Sequence, residues 1–234
     1  MSTYRSQYDS RTGLGGRITP GVKGLIIANV CMFGLQVLTG QVWRVPLELY
    51  LGLQFEAVVG SLAIWQLVTY MFLHAPHWLW HLILNMLMLW MFGTEVERVW
   101  GTRAFLRYYF VCGVGAGLVT VLAFRGSNTI GASGAVFGVM LAYAMMYPRR
   151  QILVWMLFPM QARYFVMLCA GIELFSLLGL PDGVAHTAHL GGMLFGYLYL
   201  KRAWRVRELW RDLRWRLRRR RFRVMRDDEH YPFH

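Results

Sequence analysis

A single hydroxyl lies among small residues in the stretch Gly131-Ala132-Ser133-Gly134-Ala135-Val136-Phe137-Gly138, where an apolar run begins. The run extends from Ser133 to Tyr147 and stops at Pro148, which two arginines follow. A proline and basic residues mark the point at which a membrane helix leaves the hydrocarbon for the cytoplasmic surface. A helix of this length spans only about 22 Å, against about 30 Å of hydrocarbon. We therefore expect Ser133 to lie several ångströms below the opposite membrane surface.

A helix that begins inside the membrane has backbone N–H groups without partners in the helix. Up to four such groups occur at a helix N-terminus, and at membrane depth only protein or a water-filled cavity can satisfy them. The stretch therefore predicts a wet pocket within the bilayer. Ser133, free N–H donors and the positive end of a helix dipole would suit an oxyanion there. On this stretch alone, close packing of helices through small residues is the favoured interpretation.

The composition excludes a soluble domain. The chain has 234 residues, of which 56% are hydrophobic and 16% charged, and its mean hydropathy is +0.37. Its three cysteines lie far apart in apolar runs without the spacing of metal ligands, so we expect no disulfide framework, metal or other cofactor. The formal net charge is +13, and residues 201–234 carry thirteen Lys and Arg against five Asp and Glu. The basic balance therefore points to anionic lipid as a partner rather than to nucleic acid.

Six apolar runs are candidate membrane-spanning helices. They cover approximately residues 20–39, 78–94, 104–124, 133–147, 162–180 and 185–200. Arginines cluster beside one set of connectors, whereas the opposite connectors carry only Arg44 and Arg125. This bias predicts an all-α polytopic membrane protein with both termini in the cytoplasm. We expect three parts, namely a cytoplasmic N-terminal segment at 1–19, a six-helix membrane domain at 20–203 and a basic cytoplasmic tail at 204–234.

Two segments outside these runs are predicted to lie on the membrane surface. The connector at 40–65 mixes aromatic and aliphatic residues with a few charges, which favours a segment half-buried in the interface. In the tail, residues 203–217 carry an apolar stripe at helical spacing among arginines, which favours a helix lying on anionic lipid. Beyond Leu217, a disordered basic tail is nearly as well supported, because four consecutive arginines repel one another.

Four polar side chains are predicted to share one depth in the membrane: Ser133, His81, Asn85 and His189. Counting each helix from its cytoplasmic basic residues places them roughly 18 to 26 Å above the inner surface. Four unrelated polar groups, each bonded to backbone, would not be expected to share a depth. Polar residues inside a membrane face a cavity or the interior of the bundle, so we expect these four to face one pocket.

Small residues form faces on the fourth and sixth predicted helices. These faces are Gly134, Gly138 and Ala142 on the fourth helix, and Ala185, His189, Gly192 and Gly196 on the sixth. Small residues at this spacing let helix backbones approach closely. The two faces therefore predict that Ser133 meets His189 near the top of the contact, with Phe137 one turn below to stack on the imidazole.

Three motifs, in this order along the chain, resemble the signature of the rhomboid intramembrane serine proteases. They are His81-x-x-x-Asn85, Gly131-Ala132-Ser133-Gly134, and Ala188-His189-Leu190-Gly191-Gly192 followed by Gly196. The resemblance covers roughly residues 20–203 and implies a six-transmembrane-helix rhomboid-like bundle. It also implies a Ser133–His189 dyad, with Ser133 as nucleophile and His189 as base.

By the same resemblance, His81, Asn85 and the Ser133 N–H form the oxyanion hole, and Gly131, Phe137, Gly192 and Gly196 support the site. The implied substrate is another membrane protein, cut near the outer end of its own spanning helix. We expect an integral protein of a bacterial inner membrane. Glu97 matches a structural carboxylate at the inner end of the family's second helix.

The chain departs from the family pattern at two places. Trp65-Gln66 stands where members often have Trp-Arg, which leaves open how the outer loop is held, and Phe137 often has a tyrosine counterpart. The sequence also offers no acid beside His189, because Asp182 in the preceding connector is expected to be a solvated loop residue. A dyad without an acid predicts a slow protease, since orienting the imidazole is worth orders of magnitude in rate.

Two other functions fit parts of the sequence. A metal or proton transporter would use five histidines, and Glu173 at mid-membrane depth is a functional hint or a bonded structural carboxyl. That hypothesis gives Ser133 and Asn85 no task. A catalytically inactive rhomboid relative acting as an adaptor would be expected to lose Ser133 or His189, and this chain keeps both.

Overall fold

A computed structural model describes residues 17–123, 128–154, 158–177 and 185–219, and of residues 154 and 203–219 it describes the backbone alone. The helices of these ranges are α1 (Pro20–Leu38), α2 (Glu48–Leu51), α3 (Gln66–Thr69), α4 (Leu79–Met88), α5 (Thr94–Trp100), α6 (Thr102–Ala123), α7 (Ser133–Met146), α8 (Ala162–Leu177) and α9 (His186–Arg219). Two strands, β1 (Gln151–Val154) and β2 (Phe158–Gln161), form an antiparallel hairpin. Most of the predicted segment 1–19 and the tail beyond residue 219 lie outside the described residues.

Helical segments occur at all six predicted runs. A π-helical turn extends α1 to Trp43, and another joins α4 to α5, so that Leu79–Trp100 is one helical segment. Among the described residues, three segments are long and apolar enough to cross a membrane: Pro20–Trp43, Leu79–Trp100 and Thr102–Ala123. The shorter α7 is apolar, as its sequence predicts. The fold is thus mainly helical with membrane-type helices, and the count of six spans stays a prediction.

Helix α7 packs against α6 through small residues. A Cβ atom on Gly134 would lie 2.6 Å from the Cβ of Ala116, and one on Gly138 would lie 2.5 Å from the Sγ of Cys112. The Tyr108 hydroxyl of α6 donates a hydrogen bond to the Gly138 carbonyl at 2.8 Å. Close approach of this kind needs glycine, and it fixes where the N-terminus of α7 stands in the core.

Glu97, which lies on α5, caps the N-terminus of α1. Its carboxylate accepts hydrogen bonds from the backbone N–H groups of Gly21 at 2.7 Å and Val22 at 2.8 Å. The hydroxyls of Thr19 and Thr102 donate to the same carboxylate. A negative charge at a helix N-terminus satisfies unbonded N–H groups and opposes the helix dipole. The structural position predicted for Glu97 is therefore confirmed.

Gln66 holds the connector at residues 40–65, called the outer connector below, from a position where the family that the sequence resembles often has an arginine. Its side chain is 2% exposed, accepts a hydrogen bond from the Gln54 N–H at 3.1 Å and donates one to the Tyr50 carbonyl at 3.2 Å. The Trp65 indole N–H donates to the same Tyr50 carbonyl at 3.2 Å. The connector exposes large apolar side chains such as Leu62, which is 73% exposed. The placement of this segment in the membrane interface stays a prediction.

The β1–β2 hairpin pairs Ile152 with Met160 and Leu153 with Pro159. It lies between the fourth and fifth predicted helices, where the sequence predicts no strand. At the other end of the chain, residues from Leu198 onward form a second compact unit. The backbone of the predicted tail helix at 203–217 is helical as part of α9. Its position on the membrane surface stays a prediction.

Candidate active site

Ser133 is the first residue of α7, as the sequence predicts. Just before it, Gly131 adopts φ +128°, a conformation that L side chains rarely adopt, and its N–H donates to the Tyr70 carbonyl at 2.9 Å. Two backbone hydrogen bonds of 2.9 Å join Thr129 to Leu53 of the outer connector. Hydrogen bonds to Tyr70 and to Leu53 therefore hold the segment that precedes Ser133 against the core. Glycine at position 131 allows the backbone conformation with which this segment turns into α7.

Ser133 and His189 are in hydrogen-bonding contact. The Nε2 atom of His189 lies 2.7 Å from the Ser133 Oγ. The residue is 8% exposed, and its imidazole stacks face to face on Phe137, with ring centroids 4.3 Å apart and an interplanar angle of 4°. The stacking predicted from the helical spacing of Phe137 is confirmed. A buried, stacked imidazole has few orientations available, so Nε2 stays directed at the hydroxyl.

The glycines of α9 make this contact possible. A Cβ atom on Gly192 would lie 1.8 Å from the Gly134 carbonyl oxygen, so only glycine allows the two backbones to meet there. Gly196, one turn further, packs against the Tyr108 hydroxyl of α6, which a Cβ would approach to 2.5 Å. The predicted α7–α9 contact is thus present at Gly134 and Gly192, and Gly196 extends the close packing to α6.

His81 lies beside the same hydroxyl. Its Nδ1 atom accepts a hydrogen bond from the Ala75 N–H at 3.3 Å, which leaves the proton on Nε2 and makes Nε2 a donor. A Cβ atom on Gly131 would lie 2.9 Å from His81 Nε2 and 3.6 Å from Ser133 Oγ. The space beside Gly131, where another residue would have its Cβ atom, therefore lies between the His81 Nε2–H donor and the Ser133 hydroxyl.

Asn85 lies one turn below His81 on the same face. Its side chain is 7% exposed, and its amide donates to the His81 carbonyl at 2.8 Å. No hydrogen bond joins Asn85 to Ser133 among the described residues. The arrangement thus brings Ser133, His189 and His81 together, and the predicted role of Asn85 as an oxyanion donor stays a prediction.

Glu173 of α8 lies beside the candidate base. One of its carboxylate oxygens, Oε2, is 2.9 Å from His189 Nδ1 and 2.6 Å from His186 Nδ1. The contact with His189 is close, although the ring N–H is not aligned for a hydrogen bond. The expectation that no acid accompanies His189 is therefore wrong, because α8 brings an acid from thirteen residues before His186. Asp182, in the connector before His189, lies outside the described residues.

The five histidines of the transporter hypothesis do not form one cluster among the described residues. The rings of His74 and His81 meet edge to face at 5.0 Å, His186 and His189 share Glu173, and His77 is exposed. The ligand atoms of Glu173, His186 and His189 lie within 4.8 Å of one another, which is the one group in the described ranges compact enough to hold a metal ion. Of the five histidines, only His186 and His189 belong to that group.

Comparison with known proteins identifies the family. The model of the Rhomboid domain matches residues 61–205. Rhomboid protein 1, mitochondrial, of Saccharomyces cerevisiae is 32% identical over 188 residues, which are 76% of this chain and 51% of that protein. The human presenilin-associated rhomboid-like protein, mitochondrial, is 28% identical over 215 residues, 82% of this chain and 53% of that protein. Rhomboid protease GluP of Bacillus subtilis is 26% identical over 179 residues, 74% of this chain and 32% of that protein.

This chain spans about half the length of the yeast and human relatives. The matched domain contains the serine, both site histidines and Glu173 in one continuous range. It also covers more than half of the 234 residues. The chain belongs to the rhomboid family.

Proposed function

We propose that the chain is an intramembrane serine endopeptidase that cuts other membrane proteins near the outer end of a spanning helix. The observation that carries this proposal is the 2.7 Å contact between His189 Nε2 and Ser133 Oγ at the N-terminus of α7. Family membership supports it, because one matched relative is named a rhomboid protease. Other relatives are named only rhomboid or rhomboid-like proteins, so activity has to be tested on this chain.

Each group has a task in acyl transfer. The Ser133 hydroxyl donates its proton to His189 Nε2 as its oxygen attacks the scissile carbonyl. The Ser133 N–H and the His81 Nε2–H would donate to the oxyanion that forms, and Asn85 is a further candidate donor. His189 then returns the proton to the leaving amine. A water molecule, activated by the same imidazole, releases the acyl group from Ser133 Oγ.

Membrane-type helices and the family match support an integral membrane protein. We keep the bacterial inner membrane and the cytoplasmic termini as proposals, since the arginine distribution is their support. Of the three relatives described above, two carry the word mitochondrial in their names, and the third comes from Bacillus subtilis. The proposed partners are membrane-protein substrates and, at the tail, anionic lipid; we expect no nucleic acid and no cofactor.

Cleavage of a model single-span substrate by purified protein in detergent tests the proposal. We expect wild-type protein to cleave without added metal, and both Ser133→Ala and His189→Ala to abolish cleavage while thermal unfolding is unchanged. Phe175→Ala, which alters an 80% exposed side chain on α8, is the control and should cleave like wild type. Cleavage that persists in Ser133→Ala would refute the assigned nucleophile.

A further inference from the structure

A carboxylate lies behind the candidate base, on the side of the imidazole opposite Ser133. We propose that Glu173 is a positioning residue that keeps the proton of His189 on Nδ1 and so leaves Nε2 free to accept the Ser133 proton. The proposal rests on the proposed function. It turns the expected Ser133–His189 dyad into a three-residue arrangement whose acid is supplied by α8.

The Glu173 carboxylate is buried, so it needs the two histidine nitrogens beside it as hydrogen-bond donors. The residue is 9% exposed, and a buried carboxylate needs hydrogen-bond donors or cations in place of water. Its Oε2 atom has two such neighbours, His186 Nδ1 at 2.6 Å and His189 Nδ1 at 2.9 Å. An ionised carboxylate accepts and cannot donate, so it favours a proton on each Nδ1 atom. For His189, this is the tautomer that general-base catalysis requires.

His186 holds the carboxylate in place. It stands three residues before His189 on α9, and the two rings are nearly perpendicular, at 87°, with centroids 6.3 Å apart. The hydrogen bond from His186 is the shorter and better aligned of the two contacts. His186 thus fixes Oε2 within reach of His189, and the second hydrogen bond forms when the His189 imidazole turns its Nδ1–H toward Oε2. Catalytic hydrogen bonds often tighten in this way when substrate binds.

The alternative to a shared proton is a metal ion bound by Glu173, His186 and His189. The nitrogen–oxygen distance of 2.6 Å is shorter than the ~3.3 Å that separates two ligands of a tetrahedral zinc ion with bonds of ~2.0 Å. That distance suits a shared proton. A metal on His189 Nδ1 would also force the remaining proton onto Nε2, which could then not accept the proton of Ser133. A bound metal would therefore inhibit, and a chelator would activate.

The first test replaces Glu173 by the isosteric amide. In Glu173→Gln, the amide can turn its NH₂ group toward Nδ1 and favour the wrong tautomer of His189. We expect kcat to fall roughly 10- to 100-fold, less than the ~10⁴-fold of triad proteases, because Phe137 still orients the ring. KM and the thermal midpoint should not change. Labelling of Ser133 by a fluorophosphonate should slow by the same factor as kcat, since it depends on the same base.

Matched variants separate positioning from structure. Glu56→Gln alters an exposed carboxylate on the outer connector and should match wild type. His186→Ala keeps the Glu173 carboxylate but removes one of its two neighbours. It should lower kcat less than Glu173→Gln, and the double variant should be no slower than Glu173→Gln alone. An unchanged kcat in Glu173→Gln would overturn the proposal, as would a loss of kcat accompanied by an equal loss of folded protein.

A second measurement does not depend on how the variants fold. In wild-type protein with ¹⁵N-labelled histidine, the His189 signal can be assigned by its loss in His189→Gln. We expect a proton on Nδ1 at neutral pH; a neutral imidazole protonated on Nε2 would overturn the proposal, and so would activation by EDTA. If wild-type cleavage does not require Ser133 at all, the proposed function fails. If cleavage requires Ser133 but not Glu173, the positioning role alone fails.

Discussion

Gly192 of α9 lies so close to Gly134 of α7 that a Cβ atom on Gly192 would be 1.8 Å from the Gly134 carbonyl oxygen. This backbone contact sets the register of the two helices. Ser133 directly precedes one glycine, and His189 stands three residues before the other. The contact therefore determines whether Nε2 reaches the hydroxyl.

Replacing Gly192 by alanine should disable the site by displacing α9. The methyl group would collide with backbone, which cannot rotate away as a flexible side chain can. A displacement near 1 Å at a reacting group costs roughly 100-fold in rate, so we expect kcat to fall at least that far. Gly171→Ala on α8 is the control, because a Cβ there would meet nothing within 4 Å. Equal cleavage rates for the two variants would contradict the role of this contact.

His81 should matter more than its neighbour His77. The donor on His81 borders the space beside Ser133, and loss of one oxyanion donor typically costs about 3 kcal/mol, or 10² to 10³ in kcat. His77 is exposed and lines a pocket of about 510 Å³ with Gln36 and Glu48 of the outer part of the chain. In steady-state cleavage assays in detergent, His77→Ala should therefore have a higher kcat than His81→Ala. The reverse order would remove His81 from the oxyanion hole.

Asn85→Ala separates two roles of the asparagine. Its amide bonds the His81 carbonyl in this structure, so an oxyanion contact needs its second N–H to turn toward substrate. We expect this rotation, so kcat of Asn85→Ala should fall while the other donors keep cleavage measurable. If Asn85 only supports α4, thermal stability in detergent will fall and kcat of the folded fraction will equal that of wild type.

Glu97 should contribute to stability rather than to rate. Glu97→Gln keeps the size but removes the charge and leaves one acceptor oxygen for four donors. We expect a loss of about 2 to 4 kcal/mol in the free energy of unfolding, measured by denaturant titration in detergent. Glu95→Gln breaks contacts with the exposed Arg98 and Arg150 and should cost less than about 1 kcal/mol. Similar losses for the two variants would show that the carboxylate does not stabilise the α1 N-terminus.

The contact between Ser133 and His189 could be predicted because each residue has local markers. A proline and arginines bound the short helix that starts at Ser133, and the glycine spacing on α7 and α9 identifies the faces that meet. The stacking of Phe137 on the His189 imidazole could be predicted from helical spacing alone. These predictions need only periodicity and depth, which a sequence carries.

The role of Glu173 could not be predicted in the same way. Depth placed it within the membrane, but the rotation of α8 about its axis, which turns the carboxylate toward α9, depends on packing against several helices. In the sequence, Gln66 is visible only as a departure from the family's arginine, because its hydrogen bonds with Gln54 and Tyr50 come from a connector with no regular periodicity. Irregular backbone and helix rotation are three-dimensional properties, so the sequence did not reveal them.

The most direct test of the account is to treat purified protein in detergent with a fluorophosphonate and to locate the adduct by peptide mass spectrometry. We predict one adduct, on Ser133, because among the described serines its hydroxyl is the one in contact with an imidazole nitrogen, at 2.7 Å. Labelling should be abolished in His189→Ala and retained in His77→Ala. An unlabelled Ser133 in folded wild-type protein, or equal labelling of Ser133 in His189→Ala, would contradict the assignment of this serine and histidine as nucleophile and base.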